Sequence, residues 1–251
     1  MLAKRIIAGL DVKDGVVVKG KNFENLAYAG KPAQLALKYA RAGADEIVFL
    51  DISASREGRK AQGEWIAETA ARLDVPFTVG GGVAAIADVS RVLGLGADKV
   101  CINTAALENP ALVSQASRKF GAQCIVVAVD AKQTASGTDV FSYGGTVATG
   151  KNAVEWASRC EKLGAGEILL TSIDRDGTRQ GFDCKLTRKV VERVAIPVIA
   201  SGGAGSCKDF LDVFVKGKAD AALAAGVFHY GALSIPGLKS CLKKQGVKVR
   251  C

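Results

Sequence analysis

Short, almost uninterrupted runs of apolar residues recur along the chain at regular spacing. They do not alternate with polar residues, as strands with one face in water would. This pattern is typical of parallel strands that are buried on both faces. The predicted strands are RIIAGLD (5–11), EIVFLD (46–51), PFTVG (76–80), KVCIN (99–103), CIVVAVD (124–130), EILLTS (167–172), PVIAS (197–201) and AALAA (221–225).

Segments with apolar residues at helical spacing lie between these runs, and several end at a glycine, a common helix stop. The clearest examples are 32–43, 64–73, 86–96, 110–121 and 153–164. Eight strands, each followed by a helix, in 251 residues predict a (βα)8 barrel, and a doubly wound open sheet is the alternative. Two longer segments, 15–30 and 133–150, are predicted to be loops over the barrel mouth, the second with a small hairpin.

The chain repeats itself at an offset of about 120 residues. LDVK ends the first apolar run at Asp11, and VDAK ends the fifth at Asp130. Three further segments recur in the same order, through the pairs Glu46 and Glu167, Pro76 and Pro197, Gly82 and Gly203, and Asp98 and Asp220. We therefore expect one domain, 1–251, built from half-barrels of about 1–120 and 121–251, because four short strands are too few to close alone. Two equal halves favour the barrel over the open sheet.

Composition narrows the class of protein and its compartment. With 49% hydrophobic residues and no low-complexity segment, the chain suits one globular unit with a large core. No apolar run approaches the roughly 20 residues that cross a bilayer, and charge enters the N-terminus too early for a secretory signal. We therefore expect a cytoplasmic protein without a membrane partner. The net charge of +9 fits a phosphorylated ligand or an acidic partner, and equally a solvated basic surface. No basic run with interleaved aromatics indicates nucleic-acid binding.

The seven cysteines form no CxxC motif, and His229 is the single histidine, so neither a metal site nor a cofactor is predicted. Cys101 and Cys124 lie in apolar runs and are expected in the core. A disulfide, such as one to Cys251, is expected only in a hyperthermophile. His229 is interpreted as structural, because the repeat has no second histidine.

The two repeated aspartates are the candidate catalytic residues. In a (βα)8 barrel the carboxyl ends of the strands form the active face. Strands 1 and 5 are diametrically opposite, so Asp11 and Asp130 are expected to face each other across the mouth. Two carboxylates in different surroundings can act as acid and base. The alternative is that each is a helix cap or a loop ion pair.

Two glycine clusters, GGG ending at Gly82 and SGG with Gly202 and Gly203, lie after opposite strands. Glycine lets backbone N–H groups approach an anion closely, and a following helix adds a favourable field. The clusters therefore predict two phosphate sites and a substrate phosphorylated at both ends, whereas tight turns are the alternative. The other residues expected at these rims and strand ends are Asn103, Thr104, Ala225, Gly226, Asp51 and Asp176.

Four charged residues stand at or near the opposite ends of strands 1, 2, 4 and 6. If their side chains point inward, they form a ring of two cations and two anions on the barrel floor. On the residues alone, this ring is interpreted as an ion-pair network for stability. The four residues are Arg5, Glu46, Lys99 and Glu167.

Taken together, the motifs resemble the cyclase subunit of imidazole glycerol phosphate synthase, an enzyme of histidine biosynthesis. They span essentially the whole chain, and TSIDRDGT separates it from the related isomerase, in which a TDIDRDGT-type phrase is expected. The motifs are MLAKRIIAGLDVKDGVVVKGKNFENL, EIVFLDIS, PFTVGGG, GADKVCINTAA, VAVDAK, GAGEILLTSIDRDGT, PVIASGGAG and VFHY.

The resemblance implies a (βα)8 enzyme that adds ammonia to a doubly phosphorylated phosphoribulosyl-formimino-aminoimidazole carboxamide ribonucleotide. The products are imidazole glycerol phosphate and aminoimidazole carboxamide ribotide. It implies that Asp11 and Asp130 are catalytic, and it adds Lys19 on a mobile loop and Gly177 at a phosphate. The resemblance also implies that the floor ring is a gate for ammonia. A separate glutaminase would produce the ammonia and dock on the floor, so that the two subunits form a heterodimer.

Two alternatives stay open. The phosphoribosyl-formimino isomerase of the same pathway shares the half-barrel repeat, the aspartate pair and a doubly phosphorylated ligand. The second alternative is a non-catalytic phosphate-binding subunit that only activates a partner. The presence of Asp11, Asp130 and Lys19 argues against this alternative.

The chain departs from the family pattern at a few positions. Gly9 stands where a cysteine is common, and Cys101 where a serine is common. Gly226 replaces a serine, which leaves only backbone donors at the second phosphate rim. KGKADAAL carries one extra residue before strand 8.

Overall fold

The computed structural model describes residues 2–21, 24–60, 63–135 and 137–250, without the side chains of 19–21, 24–29, 55 and 56. The strands are β1 Arg5–Lys13, β2 Val16–Lys21, β3 Glu24–Gly30, β4 Glu46–Asp51, β5 Phe77–Gly80, β6 Lys99–Ile102, β7 Ile125–Thr134, β8 Gly137–Ser142, β9 Val147–Asn152, β10 Glu167–Ser172, β11 Val198–Ser201 and β12 Ala221–Ala224. The helices are α1 Pro32–Arg41, α2 Ala54–Glu57, α3 Gly63–Ala70, α4 Ile86–Gly94, α5 Thr104–Glu108, α6 Ala111–Phe120, α7 Ala153–Lys162, α8 Cys184–Val191, α9 Cys207–Val215, α10 Gly226–His229 and α11 Ile235–Lys244.

Eight of these strands close into a parallel barrel. The neighbours run in the order β1, β4, β5, β6, β7, β10, β11, β12, and β12 pairs again with β1. Each pair in this ring is parallel, and helices connect the strands on the outside. The ring confirms the predicted (βα)8 barrel and excludes the doubly wound open sheet.

Two antiparallel hairpins rise from the mouth, one after each repeated aspartate. Strand β1 continues past Asp11 and pairs with β2, so that Asp11 lies opposite Val18. Strand β7 likewise continues past Asp130 and pairs with β8, so that Asp130 lies opposite Phe141. The hairpin predicted within 133–150 is therefore confirmed. The loop predicted over 15–30 was wrong, because this segment forms the strands β2 and β3.

The repeated residues outside the mouth perform equivalent tasks in the two halves. A carboxylate oxygen of Asp98 accepts the backbone N–H of Phe77 at 2.8 Å. A carboxylate oxygen of Asp220 accepts that of Val198 at 3.1 Å. Each aspartate thus fixes the start of the neighbouring strand. We therefore propose that residues 1–251 form one domain, with half-barrels of about 1–120 and 121–251.

The core has two layers. A large layer between the barrel and the helices includes the fully buried Phe49, Phe77 and Phe210. A smaller cluster fills the inside of the barrel and separates the floor from the mouth. Burying a large side chain such as Phe49 or Leu169 stabilises the fold by about 1.5–3 kcal/mol. The inner cluster consists of Ile7, Val48, Cys101, Val126, Ala128, Leu169, Ile199, Ala221 and Leu223.

A disulfide joins Cys207, the first residue of α9, to Cys241 in α11. It ties the last helix to the helix that follows the glycine segment 201–206. The sequence gives no reason to pair these two cysteines, and Cys251 lies outside the described residues. Cys101 is buried as predicted, whereas Cys124 is only partly buried.

In the part of the chain that the structure describes, no helix combines the length and the apolar character that crossing a membrane requires.

Candidate active site

The mouth of the barrel opens into a cavity of about 350 Å³. This volume lies in the range of small-molecule sites, roughly 300–1,000 Å³. Lys19 lies on β2, but its side chain is outside the described residues. The other residues predicted for the mouth all line the cavity, namely Asp11, Asp51, Gly82, Asn103, Thr104, Asp130, Asp176, Gly177, Gly202, Gly203, Ala225 and Gly226.

The two aspartates occupy equivalent positions with different neighbours. Asp11 is buried near the end of β1, with 8% of its surface exposed. Asp130 lies on β7 and accepts a hydrogen bond from the side-chain amide of Asn103, at 2.8 Å from Nδ2 to Oδ2. Its register partner on β10 is Thr171, whereas the register partner of Asp11 on β4 is Leu50.

The surroundings of Asp130 move its titration towards neutral pH. Burial, followed by the negative charge of Asp176, raises the pKa of Asp130 to about 7. Hydrogen bonds from Asn103 and Thr171 lower the pKa, and the charge of Asp11 adds a smaller rise. A carboxyl group with a pKa near 7 can both donate and accept a proton at physiological pH, as acid–base catalysis requires.

The glycines of the two rims have positive φ angles, which residues with a side chain rarely adopt. On the first rim, Gly81 and Gly82 have φ of +95° and +64°. On the second rim, Gly202 and Gly203 have φ of +91° and +100°. A Cβ at Gly203 would lie 2.2 Å from the carbonyl oxygen of Gly181, so the chain segments contact each other backbone to backbone. Left-handed glycines of this kind let backbone N–H groups face an anion.

The turn that follows the second hairpin, between β8 and β9, docks on the first rim. The backbone N–H of Tyr143, in the turn between β8 and β9, donates to the Thr104 hydroxyl at 2.9 Å. The Tyr143 hydroxyl donates to Glu108, at the end of α5, at 2.5 Å. The hairpin that starts at Asp130 is thereby attached to the helix that starts at Thr104, so both elements border the cavity.

Asp51 lines the cavity as one half of an ion pair. Arg59 donates to both of its carboxylate oxygens, at 2.6 and 2.9 Å. The backbone N–H of Ala54 donates to the same carboxylate at 3.1 Å. Asp51 therefore fixes the turn after β4 and pairs with Arg59, a pairing that the sequence did not predict.

The four floor residues form the closed ring that the sequence predicted. Arg5 Nη1 lies 2.8 Å from Glu46 and 3.0 Å from Glu167. Lys99 Nζ lies 2.9 Å from Glu46 and 3.2 Å from Glu167. Glu46 is 1% exposed, and it also accepts a hydrogen bond from Thr78 at 2.7 Å. Cations and anions thus alternate around the barrel axis.

Comparison with known proteins identifies the family. The sequence model of the family described as "Histidine biosynthesis protein" matches residues 5–234. The proteins named imidazole glycerol phosphate synthase subunit HisF from Metallosphaera sedula and Sulfurisphaera tokodaii are each 59% identical over 250 residues. The HisF of Geobacillus thermodenitrificans is 55% identical over 252 residues, and in all three comparisons both chains are covered completely. The chain belongs to the HisF family. The resemblance described from the motifs is confirmed.

One departure from the HisF pattern has a packing reason. A Cβ at Gly9 would lie 2.7 Å from Cδ2 of Leu223 on the neighbouring strand. Leu223 therefore occupies the space inside the barrel that a side chain at position 9 would need. No packed side chain explains the departure at Gly226, because Gly226 lines the cavity.

His229 is not among the residues that line the mouth cavity, which agrees with its interpretation as a structural residue. Its Nδ1 lies 2.7 Å from the hydroxyl of Tyr39, and the two rings lie 5.6 Å apart. Burial raises the pKa of the Tyr39 hydroxyl to about 12. The pair connects α1 to the end of α10.

The residues of the cavity wall that the sequence did not predict as site residues include Lys13, Arg179 and Tyr230. Lys13 repeats as Lys132, and Tyr230 ends the VFHY motif, but Arg179 carries no signal of its own. Within the described ranges, no group of three or more His, Cys, Asp or Glu side chains is placed to hold a metal ion.

Proposed function

We propose that this chain is the cyclase-lyase subunit of imidazole glycerol phosphate synthase and acts in the cytoplasm. It takes ammonia and the doubly phosphorylated phosphoribulosyl-formimino-aminoimidazole carboxamide ribonucleotide to imidazole glycerol phosphate and aminoimidazole carboxamide ribotide. Membership of the HisF family supports the role in histidine biosynthesis. The observation that carries the chemistry is one cavity with two aspartates between two glycine rims.

Asp11 and Asp130 are proposed as the acid–base pair. Ring closure with ammonia and the cleavage that follows both move protons to and from nitrogen and oxygen atoms of the substrate. The pKa of about 7 suits Asp130 to that task, because both of its protonation states are populated near neutral pH. The charge of Asp176 raises the pKa of Asp130, and the hydrogen bond from Asn103 lowers it. Both residues are proposed as positioning residues.

The two rims are proposed to bind the two phosphates of the substrate. Gly82 with Asn103 and Thr104 forms one site, and the segments around Gly177 and Gly203 with Ala225 and Gly226 form the other. Binding at both ends would fix the reacting middle of the substrate beneath the aspartates, so orientation would contribute to the rate. Lys19 and Asp51 are proposed to complete the mouth.

The relatives are named as subunits, which implies a partner subunit. We propose that the partner is a glutaminase that docks on the barrel floor as a heterodimer and releases ammonia there. The ring of Arg5, Glu46, Lys99 and Glu167 would then be the gate through which ammonia enters the barrel. Its support is geometric, since the alternating charges close the axis at the end opposite the aspartates.

The proposal is tested by incubating the purified chain, without a partner, with the doubly phosphorylated substrate and an ammonium salt. Formation of both products is expected. Asp11→Asn and Asp130→Asn should each reduce turnover by about 10²–10⁴-fold, because the amide removes the proton-transfer group without leaving a cavity. Asp174→Asn is the matched control: Asp174 is exposed and accepts a bond from the Gln133 N–H at 2.8 Å, and it should retain wild-type turnover.

The outcomes separate the alternatives. Rates close to wild type in both mouth variants would contradict the catalytic assignment. Conversion of the isomerase's substrate, with no ammonium-dependent product, would support the isomerase, which family membership already disfavours. No conversion of either substrate by the wild type would support a non-catalytic subunit.

A further inference from the structure

Arg179 is fixed against the second glycine rim by an unusual backbone. Its φ is +58°, in the left-handed region that residues with a side chain rarely adopt. A Cβ at Gly205 would lie 2.4 Å from the Arg179 carbonyl oxygen and 3.1 Å from its Cβ. The N–H of Gly181 also donates to the carbonyl of Gly203 at 2.8 Å. Arg179 is therefore attached to the glycine segment itself rather than to a loop that only passes nearby.

The side chain of Arg179 reaches the opposite lip of the same rim. Its guanidinium carbon lies 5.5 Å from the centre of the Tyr230 ring, in cation–π geometry. Tyr230 follows α10 directly, and its backbone N–H donates to the carbonyl of Gly226 at 3.0 Å. Both side chains line the mouth cavity. Arg179 thus contacts the glycine segment at Gly205 through its backbone, and through its guanidinium it contacts Tyr230, the residue after the helix that begins at Gly226.

The cavity wall carries many carboxylates, so the position of the positively charged Arg179 matters for binding an anion. Five carboxylates line the cavity, from Asp11, Asp51, Glu57, Asp130 and Asp176, and two of them, Asp51 and Glu57, are paired with Arg59. Among the described lining residues, the basic side chains are Lys13, at the end of β1, and Arg179, at the second rim. A phosphate dianion close to the remaining carboxylates, Asp11, Asp130 and Asp176, is stabilised by a nearby cation. At this rim the position of Gly226 offers no side-chain donor.

We propose that Arg179, oriented by Tyr230, is a phosphate-binding and specificity-determining residue of the second rim. The proposal rests on the proposed function, since it assigns one of its two phosphate sites a side-chain cation. The guanidinium donates paired N–H groups to phosphate oxygens, and stacking on Tyr230 limits the orientations it must lose on binding.

The first test is steady-state kinetics with the ammonium salt. Arg179→Ala should raise the KM of the doubly phosphorylated substrate by roughly 10-fold and leave kcat within about twofold, because a ground-state contact is lost. Arg179→Lys should fall between Arg179→Ala and wild type, since it keeps the charge but loses the planar donor pair. Tyr230→Ala should raise KM less, and should add little in the Arg179→Ala background.

The matched control is Lys185→Ala. Lys185 is an exposed cation of α8 outside the cavity wall, so this variant changes the net charge equally and should leave KM unchanged. The effect of Arg179→Ala should also disappear for one of the two singly phosphorylated forms of the substrate, the form that lacks the phosphate bound at this rim. An unchanged KM, or an increase matched by Lys185→Ala, would overturn the proposal.

Titration with inorganic phosphate separates this proposal from the proposed function. Wild-type protein is expected to bind two phosphates, and Arg179→Ala should weaken one of them by roughly 10-fold and spare the other. This measurement does not require turnover. An inactive wild type would contradict the proposed function, whereas equal phosphate binding by wild type and Arg179→Ala would contradict the role of Arg179.

Discussion

Replacing Lys99 tests whether the floor ring is a passage or only a network for stability. Lys99 Nζ contacts Glu46 at 2.9 Å and Glu167 at 3.2 Å, and its side chain is 13% exposed. In Lys99→Ala the two carboxylates keep Arg5 as a shared partner but lose half of the neutralising charge. Lys99→Met removes the same charge while it keeps most of the volume, so the two variants together separate charge from bulk.

The expected loss of stability follows from the burial of the ring. Removing one partner of a buried ion pair costs about 3–5 kcal/mol. Because Arg5 still bonds both carboxylates, we expect a loss below that range, about 2–3 kcal/mol. For a chain of this size that corresponds to a fall in Tm of roughly 5–10 °C. Calorimetry measures it. Lys4→Ala is the control, since the Lys4–Asp220 pair at 3.6 Å is more exposed and should contribute less than about 1 kcal/mol.

The decisive assay compares two sources of ammonia at a temperature where all variants are folded. Free ammonium can reach the aspartates from the open mouth, so turnover with an ammonium salt should change little in Lys99→Ala. Ammonia from glutamine, released by a glutaminase on the floor, must cross the ring. A gate therefore predicts a change in the ratio of the two rates, in Lys99→Ala and in Lys99→Met but not in Lys4→Ala. Equal effects on both reactions would refute the gate and leave the ring as a network for stability.

Two further predictions concern the fold and the pH response. Cys207→Ser, Cys241→Ser and the double variant should each lower Tm by roughly 5–15 °C in calorimetry, because a bridge across 34 residues stabilises by up to about 4 kcal/mol in the chain-entropy model. Additive losses in the double variant, or a loss of the same size in Cys184→Ser, would contradict the role of the bridge. Asp130→Asn should gain stability relative to wild type as pH rises from about 4 to about 7, and the difference should then stay constant, because Asp130 ionises with a pKa of about 7 in the folded chain and about 4 in the unfolded chain. Denaturant unfolding at several pH values checks this, and a difference independent of pH would contradict the raised pKa.

The barrel could be predicted because its strands are locally encoded. A strand buried on both faces must be apolar throughout, so EIVFLD and EILLTS mark their own ends, and the structure gives Glu46–Asp51 and Glu167–Ser172. The hairpin of β2 and β3 could not be predicted in this way. Its strands lie outside the barrel, and neither VVVKGK of β2 nor ENLAYAG of β3 is a continuous apolar run. The register of β2 depends on pairing with β1, and that of β3 on pairing with β2.

Contacts between distant segments could not be predicted from the sequence for a related reason. Nothing in the segments around Cys207 and Cys241 indicates that α9 and α11 are adjacent, so their pairing among seven cysteines stays undetermined until the helices are placed. Arg179 is a similar case. Its importance lies in the left-handed backbone and in Tyr230, 51 residues further on, and neither can be read from the loop that contains it.

The repeat predicted the two aspartates but not the difference between them, and that difference bears on catalysis. Duplication places Asp11 and Asp130 at equivalent ends of β1 and β7. Their neighbours are not duplicated: Thr171 stands where the other half has Leu50, and Asn103 where the other half has Ala225. Hydrogen-bonding groups therefore surround Asp130, while the corresponding residues beside Asp11 are apolar. The charge of Asp176 raises the pKa of Asp130, and the hydrogen bonds from Asn103 and Thr171 lower it, so neighbours outside the repeat adjust the acid–base behaviour of this aspartate. A symmetric barrel with two identical sites would lack that distinction.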